Sequence, residues 1–243
     1  MATDTQAPES SQLLLGFPAN NEQTLEQFVC SDTLRAYTQA LASGDSDDWV
    51  LADGGPGQGK SHWLMALCHR AGPRAGYVSG TALAAAGPTT LEQLTGLELI
   101  CIDDLHLLLT DPDAGRAWQE AWFHQINRWR AEGTQLVVTS EQAAAALGLT
   151  LPDLVSRLAA MTRIQLPTLG SEQQRQLLAL RAKARGIRLP EPLLDYLLSR
   201  HTRSAPELVS LLDQLAEASL KAQRKLTVPF ARQVLGAPEA PQG

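Results

Sequence analysis

Hydrophobic and polar positions along the chain follow two rhythms. From about Leu25 to Leu166, short apolar runs alternate with stretches of helical spacing. Leu34, Tyr37 and Leu41 recur as on one helix face, with Ser31 or Asp32 placed to cap it. Trp49–Asp53 reads as a short buried strand, followed by a glycine-rich turn and a helix over His62–Arg70. Gly76–Gly80 is a second strand, and Leu97–Asp103 is the clearest one, an unbroken apolar run of the kind found where helices cover both faces of a sheet. A helix over Ala117–Ala131, a strand over Thr134–Ser140, helical segments at Glu141–Leu147 and Pro152–Ala160, and a last strand at Thr162–Leu166 complete the alternation. Strands separated by helices of this length predict βαβ units and a parallel sheet. After Pro167 the rhythm changes to helices alone, over Ser171–Arg185, Glu191–Arg200, Glu207–Ala222 and Val228–Leu235. The expected organisation is a flexible tail over 1–20, an α/β domain over 21–168, and a small all-helical domain with a frayed end over 169–243.

Charge and composition narrow the function. The net charge of −6 comes from 20 Lys+Arg against 26 Asp+Glu, which disfavours tight binding of bare DNA by this chain alone. Cys30, Cys68 and Cys101 are far apart with no C-x-x-C pair, as expected of reduced thiols in a cytoplasmic protein. The N-terminus has no basic region, and no apolar run reaches about 18 residues, so neither secretion nor a membrane span is expected. The five histidines show no metal-ligand spacing.

Two motifs carry chemistry. Gly54-Gly55-Pro56-Gly57-Gln58-Gly59-Lys60-Ser61 fits G-x-x-x-x-G-K-[ST] between a strand and a helix. Glycines let backbone N–H groups close around a phosphate, and the next helix offers its positive end. Lys60 supplies a point charge, Ser61 offers a hydroxyl to Mg²⁺, and His62, just beyond, is either structural or near the nucleotide. The second motif is an apolar strand ending in Asp103 and Asp104. That strand is expected to run beside the phosphate-loop strand. Asp103 would then hold Mg²⁺ through water, and Asp104 would orient or deprotonate an attacking water. Alone, two acids at a strand end are also ordinary solvated turn residues; the phosphate loop upstream tips the reading towards function.

In order, GGPGQGKSH, LICIDDLHLL, LVVTS, DLVSRL and LLDQLAEASLKAQRKLTVPF resemble the AAA+ ATPase core of the DnaA-related family, and within it the short Hda branch, which regulates DnaA. The resemblance spans about Leu14 to Leu235. It implies an AAA+ P-loop module with a helical lid, ADP or ATP with Mg²⁺ as ligand, and DnaA as partner. It implies a polar sensor at Thr139 or Ser140, with Ser140 taken as the catalytic candidate, and an arginine finger at Arg157 acting on a neighbour's nucleotide. Without the family, Arg157 reads as a surface residue at a helix end. The family's second sensor arginine is missing: Pro206-Glu207-Leu208 stands there, and Ser204 to Glu207 read as a helix N-terminus with Ser204 as cap. Arg203 is the nearest substitute. No DNA-binding segment follows the lid in this reading.

Gln12, Leu15 and Phe17 fit Q-x-x-L-x-F, the hexapeptide pattern that binds the bacterial sliding clamp (the polymerase III β subunit). The apolar cluster lies just past a polar tail and outside the alternating pattern, so packing back on the core is the weaker alternative. Trp118, Trp122, Phe123, Ile126 and Trp129 sit mostly at core spacing; any left exposed would serve subunit contact, as in a homodimer. Arg181, Lys183, Arg185 and Arg188 read as a solvated face, with contact to clamp-held DNA as the alternative. The function expected from all this is an adaptor that links the DNA-loaded clamp to DnaA and stimulates hydrolysis of DnaA-bound ATP, with weak or no turnover of its own. The alternative is an autonomous AAA+ ATPase that loads a helicase or transposition complex.

Overall fold

The computed structural model describes residues 23–200 and 204–236. Gln12, Leu15, Phe17 and Arg203 lie outside the described residues. Those described as far as Leu25, together with Ser31–Pro167, form one unit; Glu26–Cys30 and the residues from Thr168 onward form a second. The sequence boundary at 21–168 departs from this at Glu26–Cys30, where Phe28 and Val29 are buried apolar side chains in a stretch too short to signal its partner. Among the described residues, no helix is long and apolar enough to cross a membrane.

The first unit is built on five parallel strands: β1 (Val50–Asp53), β2 (Ala75–Ser79), β3 (Leu99–Asp103), β4 (Gln135–Ser140) and β5 (Thr162–Gln165). Their order is β2-β3-β4-β1-β5. This corrects one expectation: β3 does not lie beside β1, because β4 is inserted between them. The sequence could not reveal the insertion, since each strand–helix repeat reads alike and carries no record of its neighbour. Every residue of β1, β3 and β4 is buried, whereas the edge strand β5 is largely exposed. The register aligns Asp53 with Ser140 and Ile102 with Val138, so the phosphate-loop strand, the polar end of β4 and the acid pair finish at one edge of the sheet.

Helix α1 (Asp32–Ser43) precedes the sheet, and α2 (Lys60–Ala71), α3 (Gly80–Ala86), α4 (His106–Leu109), α5 (Gly115–Glu132) and α6 (Pro152–Ala159) connect the strands. Ser31 caps α1 by accepting from Leu34 N at 3.2 Å, as its sequence position predicts. Trp118, Trp122, Ile126 and Trp129 of α5 are all buried, and the indole N–H of Trp129 donates to Leu94 O at 2.8 Å. Phe123, off that stripe, is half-buried. The helix expected at Glu141–Leu147 is only a 3₁₀ turn, Ala144–Ala146. Ahead of that turn, Glu141 N donates to His106 Nδ1 at 3.3 Å and Gln142 N to Ser140 Oγ at 3.2 Å.

The second unit holds α7 (Ser171–Ala184), α8 (Glu191–Arg200), α9 (Ala205–Ala222) and α10 (Val228–Leu235) around Leu178, Leu193, Leu197, Leu212 and Phe230. Ser204 precedes α9 in extended conformation, and its N–H donates to Glu207 Oε2 at 3.2 Å, with Pro206 in the first turn.

Candidate nucleotide site

The phosphate loop leaves β1 at Asp53 and enters α2 at Lys60. Gly57 and Gly59 have φ of 76° and 84°, the left-handed region that glycine occupies without Cβ strain. Gly54 meets a steric limit instead, since a Cβ there would stand 2.5 Å from Gln58 Oε1 and 3.3 Å from Leu166 Cβ. Gln58 Oε1 accepts from Gly55 N at 2.7 Å, which ties the loop's start to its end. The helix behind the loop is pinned to α1 by the Trp63 indole, which donates to Thr38 Oγ1 at 2.8 Å.

Lys60 is buried, and Nζ donates to Gly54 O at 3.0 Å and Gly55 O at 3.2 Å. The one carboxylate oxygen within ion-pair distance among the described residues is Asp104 Oδ1, at 4.0 Å. A buried ammonium held mainly by neutral carbonyls lacks a close counter-charge, which makes it suited to an incoming anion. Ser61 stands half-buried in the first turn of α2. His62 Nε2 lies 3.3 Å from Thr24 O, in the backbone that leads into the unit.

Asp103 is buried at 2% exposure, and three donors converge on it. Tyr77 O–H donates to Oδ2 at 3.0 Å, Asp104 N–H to Oδ1 at 3.1 Å, and the Thr139 hydroxyl to the same Oδ1. Burial, followed by the charge of Asp103, pushes the Tyr77 phenol far above its ordinary pKa, so it stays a donor. Asp104 has φ of 53°, an uncommon conformation for a residue with a side chain. Its amide also reaches Thr139 Oγ1 at 3.0 Å, and its carboxylate lies 4.0 Å from His106 Nδ1. Burial and the neighbouring Asp103 raise the Asp104 pKa, against the pull of Lys60 and His106. Of the two sensor candidates, Thr139 contacts the acid pair. Ser140 serves the loop, its carbonyl accepting from Gly54 N at 3.1 Å.

Sequence reasoning missed the bidentate pair between Arg163 of β5 and buried Asp53, whose Nη2–Oδ2 distance is 2.9 Å. The available signal was a lone acid closing a buried apolar run. Arg157 is half-buried in the last turn of α6, which Leu154 and Leu158 anchor to the core. Its Cζ lies 5.1 Å from the centroid of the Phe123 ring, and it makes no ion pair among the described residues.

No cluster of three or more metal-ligating side chains occurs among the described residues. The donor set fits Mg²⁺ held jointly by a hydroxyl, a carboxylate and phosphate oxygens.

A five-stranded parallel sheet with a phosphate loop, an acid pair and an inserted polar strand, followed by a helical unit, defines a P-loop protein of the AAA+ class. Residues 171–235 match the family described as "Hda, lid domain". Domain III of the Thermotoga maritima replication initiation protein DnaA superposes with a TM-score of 0.75 at 20% identity, over 90% of this chain and 97% of that one. AMPPCP-bound DnaA from Aquifex aeolicus gives 0.67 at 21% identity, over 83% and 67% of the two chains. The Thermotoga maritima RuvB Holliday junction branch migration motor gives 0.66 at 16%, over 88% and 71%. The sheet and its flanking helices thus have the AAA+ fold, and the helical segment 171–235 is similar to the Hda lid.

Proposed function

We propose that this protein is an adaptor that joins the DNA-loaded sliding clamp to DnaA and stimulates hydrolysis of DnaA-bound ATP, so that initiation is not repeated. The observation that carries the reading is the Hda lid match over 171–235, in the same chain as a complete phosphate loop. The pairing supports a DnaA-regulatory AAA+ protein; the clamp and finger roles are the finer part of the proposal. In this reading Gln12, Leu15 and Phe17 engage the clamp, and ADP or ATP occupies the chain's own site as a conformational ligand. The backbone of Gly54–Ser61 and Lys60 Nζ grip the phosphates, while Ser61 and Asp103 hold Mg²⁺, which neutralises phosphate charge when bound. Thr139 and Tyr77 keep the Asp103 carboxylate oriented, and Asp104 stands between Lys60 and His106.

Arg157 supports the finger role by making no ion pair with a carboxylate among the described residues, its guanidinium meeting only an aromatic ring there. A finger supplied in trans is worth about 10³–10⁵ in rate. The test measures hydrolysis of DnaA-bound ATP in the presence of clamp loaded on DNA, with and without this protein. Arg157→Ala is expected to lose the stimulation while keeping clamp binding. Gln12→Ala with Phe17→Ala is expected to lose clamp binding. Full stimulation by Arg157→Ala would refute the finger, and unchanged clamp affinity in the double variant would refute the tether. The intact acid pair favours one competing reading, a loader with its own ATPase. Steady-state turnover by the isolated chain that Lys60→Ala abolishes would establish it.

A further inference from the structure

The helical unit carries a second concave surface, a groove of about 1230 Å³ formed by the turns that follow α7 and α9. It lies at the C-terminal end of α9. The capped start at Ser204–Pro206, where the family places its second sensor, is the full 18-residue helix away, roughly 27 Å at about 1.5 Å per residue. Ile187, Leu220 and Leu226 give the groove its apolar surface, and Leu220 is 81% exposed.

The charge on the rim is not balanced. Its two acids are already engaged, Glu191 by Arg175 at 2.7 Å and Glu217 by Lys221 at 2.6 Å. Arg185 is paired with Asp213. Arg188 and Lys225 form no ion pair among the described residues. Among the described residues the Arg224 guanidinium has Gln233 Oε1 at 3.2 Å and the Phe230 ring 5.1 Å from its Cζ, and no carboxylate. Three cations without carboxylate partners among the described residues thus line the same groove as an exposed leucine, on a chain whose net charge is −6. The turn that presents Arg224 and Lys225 is well tied. Gln223 is left-handed at φ 51°, Gln223 N–H donates to Leu220 O at 3.2 Å, and Arg224 N–H donates to Ser219 O at 3.1 Å.

We propose that this groove docks a short acidic segment of a partner protein, with a large apolar side chain against Leu220 and flanking carboxylates on Arg188, Arg224 and Lys225. A nucleic acid would satisfy the cations but leave the apolar floor uncovered, so charge and surface together select a peptide. The inference does not depend on Arg157 or on the clamp motif.

The experiment titrates the full chain against a fluorescein-labelled peptide, Asp-Glu-Leu-Asp-Glu-Leu-Leu-Asp-Glu. Comparison probes are the same peptide with serine for leucine, a lysine-for-acid version, and a short single-stranded DNA. The acidic leucine peptide is expected to bind saturably and about tenfold or more tighter than either control peptide. Leu220→Asp, and Arg188→Glu with Lys225→Glu, are each expected to cost about tenfold, while Leu220→Met retains binding. These side chains are at the surface, so the melting midpoint and nucleotide affinity of the variants should match the parent. Absence of saturable peptide binding, equal binding of the serine peptide, or DNA binding that the variants abolish without any peptide preference would each overturn the proposal. Binding that appears only after removal of residues 237–243 would assign the groove to the chain's own end and overturn it as well.

Discussion

Gly80 tests how tightly the acid pair is held by the scaffold beneath it. It opens α3 directly after Ser79, which pairs with Asp103 across the sheet. A Cβ at Gly80 would stand 2.7 Å from Asp104 O and 2.9 Å from Asp103 O, both backbone atoms of the motif. Comfortable carbon–oxygen contact begins near about 3.3 Å, so something must move by about half an ångström. Asp103 cannot yield as a flexible side chain would, because its strand is hydrogen-bonded on both sides by β2 and β4. Overpacking of this kind costs about 1–3 kcal/mol, and alanine's better helix propensity returns at most about 1 kcal/mol. With that offset in full, the expected net loss in Gly80→Ala is up to about 2 kcal/mol, or up to roughly 8 °C in melting midpoint for a protein of this size. The displaced Asp103–Asp104 peptide also disturbs the amide that bonds both Asp103 Oδ1 and Thr139 Oγ1. Nucleotide affinity should accordingly fall more with Mg²⁺ present than with chelator. Scanning fluorimetry and titration of a fluorescent ADP in both buffers read the two effects. An unchanged midpoint together with unchanged Mg²⁺-dependent affinity would refute the reasoning, since the backbone would then be yielding without consequence.

Other positions give separable outcomes. Tyr77→Phe removes the donor that orients Asp103 through Oδ2, so the Mg²⁺ concentration for half-maximal nucleotide binding should rise; a fall would mean that the phenol chiefly competes with the ion for the carboxylate. Asp104→Asn tests the raised carboxyl pKa, which means the folded protein holds that proton more tightly than the unfolded chain does. Stability from this group therefore falls as pH rises from the ordinary value of 3.8 through the folded one. The asparagine variant should thus melt higher than the parent at pH 7, with the difference closing in acid, and a lower midpoint at pH 7 would contradict the sign. Lys60→Ala removes a buried ammonium whose own bonds are to carbonyls, so nucleotide affinity should drop at least about tenfold while the ligand-free midpoint does not fall. A parallel fall in both measurements would make Lys60 a structural residue.

What could be read from the sequence, and what could not, follows from the range of each signal. The phosphate loop is a largely local device: its left-handed glycines, Gln58 and Lys60 all lie between Gly54 and Ser61, so spacing alone discloses it. The capped start of α9 is local in the same way, with Ser204 and Glu207 three positions apart. The acid pair is different. Its two residues are visible at a strand end, yet what distinguishes Asp103 from a solvated turn residue is supplied from 26 and 36 positions away, by Tyr77 on β2 and Thr139 on β4. The same distance explains the misplaced strand. Nothing within Leu99–Asp103 states that Gln135–Ser140 will insert beside it, because a buried parallel strand needs only to be apolar on both faces. Asp53 with Arg163 and Gly80 under Asp104 are likewise relations between elements, so no window of adjacent residues contains them. The inserted β4 is also what gives the site its polarity. A direct β1–β3 pairing would leave the acid pair without Thr139, whereas the observed order seats its hydroxyl on Asp103 and the Ser140 carbonyl on the first amide of the phosphate loop. One strand thereby connects the two motifs that the sequence shows separately.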